Sequence, residues 1–177
     1  ITEKDRVIIG DPNPDFTYGF NTSFRWKHLT LHADFVGSHG NDIYNVNRLL
    51  DTNTSTAMQN LNRNVVSQQW TPEKQDTWYP AIGALSGSDV KWASDRYVED
   101  GSYLRLSNLT LGYDFHIRKC FIKKINLSFT GSNLIFWTRY SGWDPDVNSY
   151  GTVKKKGVDM GSYPGARTYK IDLKFTF

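Results

Sequence analysis

The sequence predicts an all-β chain: five or so antiparallel strands of a transmembrane β-barrel, joined by long loops. Three observations lead there. Long segments alternate apolar and polar residues with period two, the spacing that puts successive side chains on opposite faces of a strand. Aromatic residues reach 15% of the chain although mean hydropathy is only −0.54. The connections alternate between short turns and long loops. A barrel strand hides its lipid-facing side chains in alternation, so low hydropathy excludes helical spans, which need about 18 consecutive apolar residues, and leaves barrels open.

The segment Gly10-Asp11-Pro12-Asn13-Pro14-Asp15 reads as a rigid turn before the first strand. That strand covers residues 16–27, with Phe16, Tyr18, Phe20, Thr22, Phe24 and Trp26 on one face and Thr17, Gly19, Asn21, Ser23, Arg25 and Lys27 on the other. A tight turn at Lys27–His28 leads into a second strand over 28–37, where Leu29, Leu31, Ala33 and Phe35 alternate with Thr30, His32 and Asp34. In the third, over 103–115, Leu104 and Leu106 precede Leu109, Leu111, Tyr113 and Phe115, a change of phase that requires a bulge near Ser107 and Asn108. A fourth strand over 123–137 carries Ile125, Leu127, Phe129, Ile135 and Trp137 on its apolar side. The last, over 168–177, alternates Tyr169, Ile171, Leu173, Phe175 and Phe177 with Lys170, Asp172 and Lys174. Each run holds about ten residues or more, the length of a tilted membrane strand and longer than the usual globular strand of about five or six.

With the C-terminus at the periplasmic rim, the turns at 27–28 and 116–124 are periplasmic, and the long loops at 38–102 and 138–167 are extracellular. The first loop is expected to hold a short helix around Ile43 to Leu61. Five strands cannot close a barrel, since about eight are the minimum, and two open edges invite aggregation. The strands must therefore pair with sequence outside this chain, which opens at Ile1 without a secretory signal and reads as a mature fragment.

The net charge of +3 is too mild to imply nucleic acid, and the run Lys154 to Lys156 reads as a solvated loop. The single cysteine, Cys120, forbids an internal disulfide. His28 and His32 share a strand face, but four residues at about 3.3 Å each separate them too far for one ion. With no Ser-His-Asp set, phosphate loop or zinc spacing, the expectation is a protein that is not an enzyme.

The aromatic strand faces are expected to meet lipid, with Trp26 and Tyr169 in interfacial girdles. Candidates for ligand or partner contact are the loop aromatics Trp70, Trp78, Tyr79, Trp92, Trp143 and Tyr150, because aromatic faces stack on sugars and mark interaction surfaces. Asp144 and Asp146 flank Pro145; a glycosidase pair would need facing carboxylates across a cleft, and at this spacing they are expected to organise the loop through local hydrogen bonds.

Several stretches carry a family resemblance. They are I-T-E-K-D-R-V-I-I-G-D-P-N-P-D-F-T-Y-G-F at Ile1 to Phe20, G-S-H-G-N-D-I-Y-N at Gly37 to Asn45, W-T-P-E at Trp70 to Glu73, G-S-Y-L-R-L-S-N-L-T-L-G-Y at Gly101 to Tyr113, and G-S-N-L-I-F-W-T-R-Y-S-G-W-D-P-D-V at Gly131 to Val147. Tyr163-Pro164, Ala166-Arg167-Thr168-Tyr169 and the terminal Phe177 complete the series. Over almost its whole length the chain resembles the C-terminal end of SusC/RagA-type TonB-dependent outer-membrane transporters of Bacteroidetes.

The resemblance implies a barrel of about 22 strands, an N-terminal plug that is not in this sequence, and a SusD-like surface lipoprotein capping the mouth. It also implies energy coupling by TonB through the plug, and oligosaccharide or oligopeptide cargo. It makes the terminal strand, Tyr169, Ile171, Leu173, Phe175 and Phe177, a signal read by the barrel assembly machinery. Residues 1–5 resemble the tail of an acidic calcium-type loop with Asp5 as its last carboxylate ligand, an Asp where Glu is usual, the other ligands lying outside the chain. No other cofactor is implied. Two alternatives are a TonB-dependent siderophore or cobalamin receptor, and a soluble carbohydrate-binding β-sandwich that buries the aromatic faces in a core.

Overall fold

The computed structural model describes residues 4, 6–53, 60–83, 94–118, 121–147, 149, 151 and 156–177. They fall into two compact units, one made of Pro14–Asn41, Gly101–Pro145 and Tyr163–Phe177, the other of Ile1–Asn13, Asp42–Asp100 and Asp146–Ser162.

The first unit is a five-stranded antiparallel sheet of β1 (Phe16–Trp26), β2 (Leu29–His39), β5 (Tyr103–His116), β6 (Lys124–Thr138) and β8 (Thr168–Thr176), hydrogen-bonded in that order. The β1–β2 turn is the two residues Lys27 and His28, with Lys27 at φ 54°, uncommon for a residue with a Cβ. The strands differ from the expected ranges by a residue or two at their ends, most at β2, which continues to His39.

Register keeps like residues on one face. Phe20 faces Phe35 with rings stacked at 4.5 Å, Leu31 faces Leu111, Leu111 faces Phe129, and Phe129 faces Ile171. The phase change in β5 is accommodated as a bulge: Phe35 pairs with Leu106 while Asp34 pairs with Asn108, leaving Ser107 as the extra residue. The apolar face is open along β1, β5, β6 and β8, with Phe24 59%, Leu111 46%, Trp137 51% and Ile171 70% exposed, while on β2 Ala33 is buried between larger neighbours. A carbohydrate-binding β-sandwich would bury this face under a second sheet, and the exposed rings run against that alternative.

Tyr18 lies across β2 and donates its hydroxyl to the carbonyl of Tyr103 at 3.1 Å. Gly37 makes the crossing possible, because a Cβ there would sit 2.3 Å from the Tyr18 ring.

The opposite face is polar and cross-linked. Asp114, buried near the short-turn end, accepts from Asn126 at 2.7 Å, Lys124 at 2.9 Å and Arg25 at 3.2 Å. Further along, Asp34 joins His32 at 3.0 Å and Asn108 at 3.4 Å, Ser132 donates to Asn108 at 2.7 Å, and Thr110 meets Thr130 at 3.0 Å. Each link joins side chains of one strand or of neighbouring strands, except Arg25, which reaches past β2.

The second unit is built from loop sequence. Its sheet has three short strands, β3 (Asp42–Asn45) between β4 (Val98–Asp100, antiparallel) and β7 (Val158–Asp159, parallel). Helices α1 (Val46–Asp51) and α2 (Arg63–Gln68) and a 3-10 turn at Asp95–Tyr97 complete it. The short helix expected around Ile43 to Leu61 is α1, narrower than that range: Ile43 is a buried strand residue, α1 ends at Asp51, and residues 54–59 lie outside the described set. Asn45 sets the start of α1 at Val46, since its side chain accepts the Arg48 amide at 3.0 Å and caps the helix. Ile43, Val65 and Asp159 are the largest fully buried side chains.

Candidate functional site

The loop aromatics fall into separate places. Trp70, Trp78 and Tyr79 belong to one cleft in the loop unit, about 360 Å³ in volume, together with Pro80 and Arg96. The sequence folds here by pinning two short segments to each other. The Trp70 amide donates to the Tyr79 carbonyl at 2.9 Å, the Ile82 amide donates to the Gln69 side chain at 3.1 Å, and the Thr77 hydroxyl donates to the Gln68 carbonyl. α2, capped by the Asn62 side chain and anchored by buried Val65, leads directly into this paired stretch.

Two arginines far away in sequence complete the cleft. The guanidinium carbons of Arg48 and Arg96 each lie 5.5 Å from the centroid of the Trp78 ring, within cation–π range. Arg48 is also paired with Glu99 at 3.2 Å, and Glu99 accepts from Asn45 at 3.0 Å, so this cation is held by β3, β4 and α1 together. No spacing in the sequence announces either arginine, because the contact depends on the pairing of β3 with β4.

A smaller cavity, about 180 Å³, is lined by Ile9, Pro12, Asp42, Tyr44, Val98 and Lys156. Burial pushes the Tyr44 phenol above its ordinary range, and the nearby Tyr97 adds to the effect. The neutral phenol is therefore the form kept at physiological pH.

Trp143 is 75% exposed in the sheet unit, whereas its neighbour Asp144 is buried. Asp144 pairs with Arg105 at 2.5 Å and accepts the Gly165 amide at 3.2 Å, which ties the segment after β6 to the segment before β8. Asp146 is exposed and falls in the other unit. The two carboxylates thus differ in environment, and Asp144 has a loop-organising part. Asp5, Trp92 and Tyr150 lie outside the described residues. The final-strand residues Tyr169, Ile171, Leu173 and Phe175 all lie on the open apolar face, and Phe177 follows it with its ring 5.2 Å from that of Phe121. His28 and His116, not paired in the sequence reading, bring their rings to 4.9 Å at the short-turn end. Among the described residues no group of three or more His, Cys, Asp or Glu could hold a metal ion.

No family model matches the chain. Similarity to individual proteins, however, runs its full length. It is 36% identical over 185 residues to TonB-dependent receptor P3 of Formosa agariphila, covering 100% of this chain and 18% of the receptor. To TonB-dependent receptor SusC of Bacteroides thetaiotaomicron it is 25% identical, covering 100% of this chain and 16% of SusC. Among solved structures, the RagAB peptide importer in its open-open state superimposes with a TM-score of 0.80 at 27% identity, over 96% of this chain and 18% of that one. This chain is a segment of a SusC/RagA-type TonB-dependent receptor.

Within this family the five-stranded sheet is a stretch of transporter barrel, open at β1 and β8 because these strands alone do not close it. The chain spans under a fifth of the length of the relatives it matches. Those relatives are receptors and transporters of the outer membrane. A SusC/RagA-type barrel explains the division of the faces. Its outside must be apolar and its lumen polar, as the exposed ring of Phe24 and the linked side chains around Asp114 are here.

Proposed function

We propose that the chain supplies the C-terminal wall and the extracellular loops of an outer-membrane importer of oligosaccharides or oligopeptides. In this reading residues 16–27, 28–37, 103–115, 123–137 and 168–177 are membrane strands, and residues 38–102 and 138–167 are external. The importer works with a SusD-like surface lipoprotein and draws energy from TonB through a plug outside this segment. The likeness to RagAB, a peptide importer, over 96% of the chain carries the reading. An apolar face open to its surroundings on one side and hydrogen-bonded polar groups on the other supports it.

The test is uptake by the full-length receptor in cells, with and without its neighbouring SusD-like lipoprotein and TonB. Labelled oligosaccharides and oligopeptides are expected to enter only when all three are present. Uptake of a ferric siderophore or cobalamin, with neither polymer transported, would overturn the proposal in favour of a different receptor class.

The terminal strand serves assembly in the same reading. Deleting Phe177 is expected to lower surface abundance several-fold, because its ring ends the apolar series Tyr169, Ile171, Leu173, Phe175 and packs on Phe121. Surface labelling and the heat-modifiable electrophoretic band measure this, and normal values for both would return Phe177 to an ordinary girdle residue.

A further inference from the structure

The cleft of Trp70, Trp78 and Tyr79 combines features that ordinary loop packing does not require. Its two tryptophans remain open, Trp70 at 42% and Trp78 at 47% exposure, although each carries a large apolar surface that folding would otherwise cover. The segments bearing them are fixed to each other by the Trp70–Tyr79 and Gln69–Ile82 hydrogen bonds, so the aromatic walls are set before any ligand arrives.

The two cations beside Trp78 are not equivalent. Arg48 is neutralised by Glu99 at 3.2 Å. The Arg96 guanidinium lines the cleft and lies over the Trp78 ring, with no ion pair or hydrogen bond to another described residue. A guanidinium held in place by a ring and left without an anion is suited to a carboxylate, which it binds through two parallel hydrogen bonds.

The cavity of about 360 Å³ is at the small end of ligand pockets and suits one or two residues of a chain molecule rather than a whole oligomer. Peptides are usually held by main-chain hydrogen bonds along a free strand edge. Here the amides of Trp70, Tyr79 and Ile82 are already donated to Tyr79, Thr77 and Gln69. What the cleft presents besides is exposed aromatic surface and the Arg96 cation.

We propose that this cleft is a subsite for an acidic sugar of an oligosaccharide cargo, the pyranose ring against Trp70 and Trp78 and its carboxylate on Arg96. The assignment rests on the importer reading above and narrows its cargo to uronate-bearing glycans.

The experiment uses the full-length receptor, purified with its SusD-like partner. Binding is measured by calorimetry for tetramers of galacturonate, of mannuronate and of a glucuronate-containing glycan, each beside its carboxyl-reduced neutral counterpart. At least one acid tetramer is expected to bind tenfold or more tightly than its neutral form, and Arg96→Gln to bring that ratio close to one. Arg96→Lys is expected to retain part of the preference, and Trp70→Ala to weaken the acid and neutral forms alike. Heat-modifiable mobility of each variant checks that the barrel is folded.

The proposal is overturned if no acid tetramer is preferred, if the preference survives Arg96→Gln, or if an acidic tetrapeptide shows the Arg96 dependence instead. Each of these leaves cellular import of neutral glycans or of peptides intact. Loss of all polymer import by the unmodified receptor would instead remove the importer reading itself.

Discussion

The two units of this chain are ordered by different means. In the five-stranded sheet, β1 meets β2 across two residues, β5 meets β6 across a short connection, and the strands alternate along their length with β5 changing phase once, at the Ser107 bulge. In the loop unit, Asp42 pairs with Asp100 and Asn45 with Asp159, and the strands concerned are four, three and two residues long. The sheet is redundant, since a register error would turn whole rows of aromatics to the wrong face. The loop unit has a few buried anchors, chiefly Ile43, Val65 and Asp159, and depends on each.

The largest effect is expected where the sheet unit departs from that redundancy by relying on an ion pair with both partners buried. Arg105 and Asp144 keep only 12% and 11% of their side-chain surface exposed. Arg105→Met strips the cation from a buried carboxylate and is expected to cost about 3–5 kcal/mol. Urea unfolding of the receptor in lipid vesicles measures the loss, and Arg105→Met with Asp144→Asn together should recover part of it.

On the apolar face, Leu111→Arg is expected to cost about 2–4 kcal/mol by putting a charge against hydrocarbon. Ser128→Arg, on the polar face of the adjoining strand, should cost far less in the same assay. Equal costs would break the assignment of the two faces.

In the loop unit, Gly157 has φ +73°, and a Cβ there would lie 2.6 Å from Pro12 and 2.9 Å from the Asp42 carbonyl. Gly157→Ala is expected to cost about 1–3 kcal/mol through overpacking and strain. The readout is faster proteolysis within 42–100, with barrel folding unchanged. Failure of the barrel to fold would show the loop unit to be part of the same cooperative structure. The smallest effect is expected from Asn62→Ala, which removes the exposed cap of α2 and costs about 1 kcal/mol, with hydrogen exchange at Asn64 as the sensitive measure.

How much could be read in advance follows the same division. The five strands, the bulge at Ser107 and the polar and apolar faces were legible because the pattern repeats over runs longer than a globular strand needs. The loop-organising part of Asp144 could be anticipated from its place beside Pro145, but its partners Arg105 and Gly165 could not. Trp70, Trp78 and Tyr79 stood out by residue type alone. That they share one cleft with Arg96, while Trp143 stands apart, is set by contacts between distant segments.

By itself the sequence determined the β class, the strand phases and the family, since alternation and ordered motifs are local and repeated. The tertiary structure alone decided that the long loops build a small sheet with helices, that Arg48 is neutralised by Glu99, and that Arg96 reaches Trp78 with no anionic partner among the described residues. Those facts depend on short strands meeting across long stretches of chain. There the gain comes from burying a few particular side chains, and no local pattern records which segments will meet.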